Sequence, residues 1–182
     1  MNSIQEETQA TVPLSSANHK TEGSRGRRLA NRIEEGAAGL AAFAEGLSDA
    51  EWRTPMSVKD RRTIGVIVHH VANMYPIEID LARAVASGKA APEVTWELVA
   101  EINAKHAQEQ AGVAKAAALD LLRRNSREAA AAVRTFTDDE LDESAPVGLS
   151  FGAPVTAQFI IEDHALRHSW HHLAGIRRAL GR

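Results

Sequence analysis

Apolar residues recur at three-, four- and seven-residue steps in successive stretches of this chain, a period that amphipathic helices bury by packing side by side. The first stretch runs from about Arg27 to Gly46 and carries Leu29, Ile33, Leu40 and Phe43. The second spans about Arg61 to Ser87, with Ile67, His70, Met74, Ile77, Leu81 and Val85 on one stripe and Gly88 to close it. A third, rich in alanine, extends from Trp96 to Arg134 through Leu98, Ile102, Val113, Leu119, Leu122 and Val133, with a break expected near Gly112 or Asn125. The last covers about Val155 to Leu180. Only 4% of the residues are aromatic, and alanines fill Ala129 to Ala132, which favours close-packed helices over sheet. The expected fold class is all-α, a four-helix bundle with long connections.

The intervals between the stretches carry recognisable stop and start signals. Ser48 with Glu51 forms a short capping box, Pro55 and Ser57 break the chain, and Asp60 is placed to cap the second helix. Pro76 inside that helix predicts a bend just after the histidine pair, because proline removes a backbone hydrogen bond and crowds the preceding turn. The acidic, Pro- and Gly-containing run from Thr137 to Pro154 reads as the long connection into the last helix, with Pro154 in its first turn. Residues 1 to 26 are polar and lack any apolar period, so a flexible tail is expected there, with His19 solvated in it. Residues 27 to 182 are expected to form one domain around one core.

A formal charge of −3 gives no basic excess for a nucleic-acid partner. No apolar run reaches the roughly 18 residues of a membrane span, and the start of the chain lacks the basic and apolar regions of a signal peptide, so a cytoplasmic protein without a membrane partner is expected. With no cysteine, disulfides, thiolate ligands and a cysteine nucleophile are excluded, and a metal must be held by nitrogen or oxygen.

Six of the eight histidines fall in two short stretches, VIVHHVANM and DHALRHSWHHLAG. At about 100° per residue, His168 and His172 lie some 40° apart in the sector of Ile161, Ala165, Ile176 and Ala179, whereas His171 turns toward Arg167 and Arg178. His70 shares its stripe with Ile67, Met74 and Ile77, while His69 shares a face with Arg62, Asn73 and Asp80. Three inward imidazoles, two of them side by side on one helix, converge on a point and would hold one divalent ion, Zn²⁺, Ni²⁺ or Fe²⁺, with a coordination position left open. The expected metal ligands are therefore His70, His168 and His172. A single inward histidine is normally satisfied by hydrogen bonds, but three in an aromatic-poor core need a common partner. His164, one turn before His168, is placed as a fourth ligand, a supporting partner or a rim residue. Asn103 and His106 are candidates for the cavity mouth, and Trp52 and Trp96 for core or interface anchors. No HExxH, paired Glu-x-x-His, P-loop or G-x-S-x-G pattern is present.

The stretch HSWHHLAGI, with HHVANM upstream and SVKDRRTIGVIV before it, resembles the DinB/YfiT-like family of metalloenzymes over about Arg27 to Leu180. The resemblance implies a DinB-like four-helix bundle whose metal is bound by one histidine of the second helix and a His-x-x-x-His pair of the last, roles that fall on His70, His168 and His172. It further implies a metal-dependent transferase that uses a low-molecular-weight thiol in detoxification or a stress response, acting on a small-molecule substrate. The alternatives are a metal-dependent hydrolase and a non-catalytic metal- or small-molecule-binding protein. A homodimer is the expected assembly.

Overall fold

The computed structural model describes residues 24–89 and 94–182, so His19 and most of the expected tail lie outside it. Helix α1 (Ser24–Glu45) already includes the last three residues assigned to the tail. After it come α2 (Asp49–Trp52), α3 (Ile64–Ala86), α4 (Trp96–Glu109), α5 (Lys115–Val133) and α6 (Asp138–Asp142). Strands β1 (Ser144–Pro146) and β2 (Pro154–Thr156) pair antiparallel across a short 3₁₀ turn. The chain ends in α7 (Ala157–Ile160), a π-helical segment (Ile161–Leu166) and α8 (Arg167–Ala179), which run on without interruption.

Four long helical units form the bundle. α1 packs on α5 and α8, and α3 packs on α5 and on the α7–π–α8 unit, so α1 and α3 occupy opposite corners. Ile33, Leu40, Ile64, Ile67, Leu122, Ile160 and Ile176 meet in the core with no exposed surface, each such side chain contributing roughly 1.5–3 kcal/mol on burial. Among the described residues no helix is long and apolar enough to cross a membrane.

Local signals explain most boundaries. Ser48 and Glu51 form the capping box expected of them, and Thr137 with Glu140 forms a second one that starts α6 inside the long connection. The third stretch breaks at Gly112, between α4 and α5, and not at Asn125, which is buried in the middle of α5. Asp60 is not the cap of the second helix. It folds back to pair with Arg62, and Thr63 caps α3 by accepting from the Val66 amide. Pro154 likewise stands in β2 and leaves the capping of α7 to Thr156. α3 runs through Pro76 as one helix.

Two faces differ from the sequence expectation. Ile77 is 52% exposed whereas Glu78, its neighbour, is 4% exposed, because the buried stripe of α3 runs through Val71, Tyr75, Glu78, Ala82 and Val85. Leu98 and Ile102 face solvent along with Trp96, since α4 lies outside the bundle and meets α3 at half-buried His106. Trp52, by contrast, is a core anchor. Its indole Nε1 donates to the Val113 carbonyl at 3.0 Å and rests on Gly65, where a Cβ would come within 2.5 Å of the ring.

Candidate metal centre

Polar residues that interrupt a buried stripe mark the place where α3 and α8 meet. His70 on α3 is 7% exposed, and His168 and His172 on α8 are half-buried at the flank of a buried row made by Ser169, Leu173 and Ile176. The helical wheel put these two histidines in the core sector itself. The π-helical segment hydrogen-bonds i to i+5 and takes up an extra residue, turning everything after it by about 100° and moving the pair to the edge of the core.

The structure brings together one ligand atom from each of His70, His168 and His172 within 4.8 Å of one another. Nε2 of His70 and Nε2 of His168 are 3.2 Å apart, close to the separation of about 3.3 Å that two donors at roughly 2.0–2.1 Å from a tetrahedral ion would have. The ring centres of His168 and His172 lie 4.8 Å apart, as two imidazoles one turn apart on a helix should. Burial pushes His70 down to about 3, with the charges of His168 and Arg62 adding to the effect. Burial first, then His168 and His70, pushes His172 down to about 2. Both rings are neutral at pH 7 and offer lone pairs, a donor set that fits a divalent ion of borderline softness such as Zn²⁺, Ni²⁺ or Fe²⁺.

His168 is oriented from behind. Its Nδ1 lies 2.6 Å from Glu78 Oε1, and the other carboxylate oxygen of Glu78 is buried without a hydrogen-bond partner among the described residues. One turn back on α3, the Tyr75 hydroxyl lies 2.7 Å from that of Ser169, the residue after His168. Sequence reasoning missed Glu78, although a carboxylate spaced three residues from Tyr75 and four from Ala82 on an otherwise apolar stripe was a readable signal.

The other histidines take different places. His164 belongs to the π-helical segment and lines a cavity of about 150 Å³ beside Glu78 and His168, outside the set of three converging nitrogens. His171 is exposed, as expected of the charged flank. His69 does not face solvent freely: its Nδ1 lies 2.8 Å from Nε2 of His106 on α4, and burial lowers both rings below the ordinary histidine range. The His106 ring stands edge-on to that of His70 at 5.7 Å, so α4 forms one wall of the site. Arg62, held by the Asp60 carboxylate through Nε and Nη2, acts on His70, His106 and His172 through its charge.

Four long helical units with three imidazoles converging from two of them define a bundle protein with a histidine centre at the edge of its core. The chain belongs to the DinB superfamily, whose family profile matches residues 32–176. A solved structure of YfiT from Bacillus subtilis, described as a probable metal-dependent hydrolase with an unusual four-helix bundle topology, shares the fold at a TM-score of 0.68. The two are 19% identical, and the match covers 94% of each chain. No curated protein matches the sequence at a significant level.

Proposed function

We propose that this chain is a metal-dependent enzyme acting on a small molecule, with His70, His168 and His172 holding one divalent ion, Zn²⁺, Ni²⁺ or Fe²⁺. The observation that carries the reading is the convergence of three ring nitrogens within 4.8 Å at a half-buried edge of the bundle. An ion bound by three neutral donors keeps its full positive charge and an open position, and so lowers the pKa of a nucleophile bound beside them. The side chains around it do the remaining work. Burial holds His70 and His172 unprotonated at neutral pH, the Tyr75–Ser169 pair keeps α8 in place on α3, and His106 stands edge-on to His70 as one wall of the site.

Hydrolysis, with water as the nucleophile, is the first reading of the reaction, supported by the description of YfiT as a probable metal-dependent hydrolase. Transfer of a low-molecular-weight thiol to an electrophile, in detoxification or a stress response, is the second. It rests on the same open coordination position, where a bound thiol would be held as its thiolate. Metal analysis of the purified protein, followed by turnover assays with and without added thiols, separates them. One equivalent of metal with thiol-independent hydrolysis of activated esters or amides is the expected result. A protein that purifies without metal and takes up none of the three ions on dialysis overturns the proposal.

A further inference from the structure

We propose that Glu78 is a positioning residue, which fixes the tautomer and ring setting of His168 so that Nε2 of that ring faces the ion; this rests on the metal-centre reading above. Glu78 is 4% exposed and stands on the innermost stripe of α3, where an alanine or leucine would pack without charge. Burying a carboxylate is costly unless a partner compensates it. Among the described residues its hydrogen-bond partner is Nδ1 of His168 at 2.6 Å, and its second oxygen has none. No arginine or lysine among them forms an ion pair with it, so a structural salt bridge does not account for its place.

The geometry of an imidazole gives the carboxylate its role. An acceptor at Nδ1 places the ring proton there, and Nε2 is then left with a bare lone pair. That nitrogen lies 3.2 Å from Nε2 of His70, on the side where the three nitrogens converge. Glu78 cannot itself be a ligand in this arrangement, because Nδ1 and Nε2 occupy different edges of the ring and the carboxylate sits behind the one that does not face the centre. Tyr75, three residues earlier on α3, pairs with Ser169, the residue after His168. The two contacts together hold both the ring and the helix segment that carries it.

The test uses the full chain and its Glu78→Ala and Glu78→Gln variants, with two readouts independent of turnover. Long-range ¹H–¹⁵N correlation spectra of the metal-free proteins report which nitrogen of His168 carries the proton, and chelator competition reports Zn²⁺ affinity. The expected results are a protonated Nδ1 in the wild type, loss of that preference in Glu78→Ala with Zn²⁺ binding about 10- to 100-fold weaker, and a substantially smaller loss in Glu78→Gln, whose carbonyl oxygen still accepts. Glu78→Ala binding Zn²⁺ within twofold of wild type, with the His168 tautomer unchanged, overturns the role of Glu78 and leaves the metal centre standing. A wild-type protein that takes up no metal overturns the metal-centre reading instead. Should Glu78→Ala fail to fold, the wild-type spectrum decides: an unprotonated Nδ1 on His168 overturns the proposal.

Discussion

Asn125 on α5 donates its side-chain amide to the carbonyl oxygen of Ala72 on α3 at 2.9 Å, and Ala72 is the residue whose carbonyl the missing N–H of Pro76 leaves without a helical partner. A proline in the middle of a buried helix is thus compensated from the neighbouring one. Asn125→Leu should cost about 1–3 kcal/mol by orphaning that carbonyl. In a Pro76→Ala background, where the backbone N–H is restored, the same substitution should cost distinctly less. Urea denaturation of the four proteins in this double-mutant cycle gives the coupling, and equal costs in both backgrounds would refute the link.

Removing any one of the three converging rings should abolish stoichiometric metal uptake while the bundle persists. His70→Ala, His168→Ala and His172→Ala are expected to weaken Zn²⁺ binding at least 100-fold with helical circular dichroism close to wild type, whereas His171→Ala, on the exposed flank, should leave it within a few-fold. Elemental analysis after dialysis distinguishes the two groups.

Acid should destabilise the metal-free protein through the same rings. His70 and His172 are held near 3 and 2 in the folded chain, by burial first, but return to about 6.5 when unfolded, so the unfolded state binds more protons between those values. Their contribution to stability is complete above about pH 6.5 and is lost progressively as the pH falls toward 3. The urea midpoint should fall between pH 7.5 and pH 4 and fall less steeply in His70→Ala. A midpoint independent of pH over that range contradicts the buried neutral assignment.

Ser169→Ala leaves the Tyr75 hydroxyl buried without its partner and should lower stability by about 1–3 kcal/mol, with the double variant Tyr75→Phe, Ser169→Ala recovering part of the loss. Gly65→Ala should destabilise by a similar amount, about 1–3 kcal/mol, because its methyl group displaces the Trp52 indole from the Val113 carbonyl. A red-shifted tryptophan emission in the folded Gly65→Ala protein would report that displacement.

What could be read from the sequence follows the range of the forces concerned. Ser48 with Glu51 and the break at Gly112 act through their immediate neighbours and are found where local rules put them. The choice of His70 over His69 for the inward position rested on the apolar phase of α3, and His70 is buried among Ile67, Val71 and Ala72. His69 was read as solvent-facing because its environment is made by α4, which arrives 37 residues later in the chain. Ile77 is expected on the buried stripe yet is exposed, and its neighbour Glu78, absent from that expectation, is buried: hydropathy ranks a carboxylate as a surface group, and only the position of His168, 90 residues away, makes its burial sensible.

The π-helical segment Ile161–Leu166 makes the histidine pair sensitive to chain length in a way that its own spacing does not reveal. Upstream of it, Ala157 and Ile160 are anchored in the core, and downstream Leu173 and Ile176 are anchored there too. A single-residue deletion within the segment would leave His-x-x-x-His untouched as a string of letters yet force one of these anchors, or the histidines, off its mark. Relatives that keep the motif but lack the additional residue are therefore expected to build their site with a different rotation of the last helix, and alignments that slide a gap freely through this segment would pair residues that do not share a place in space.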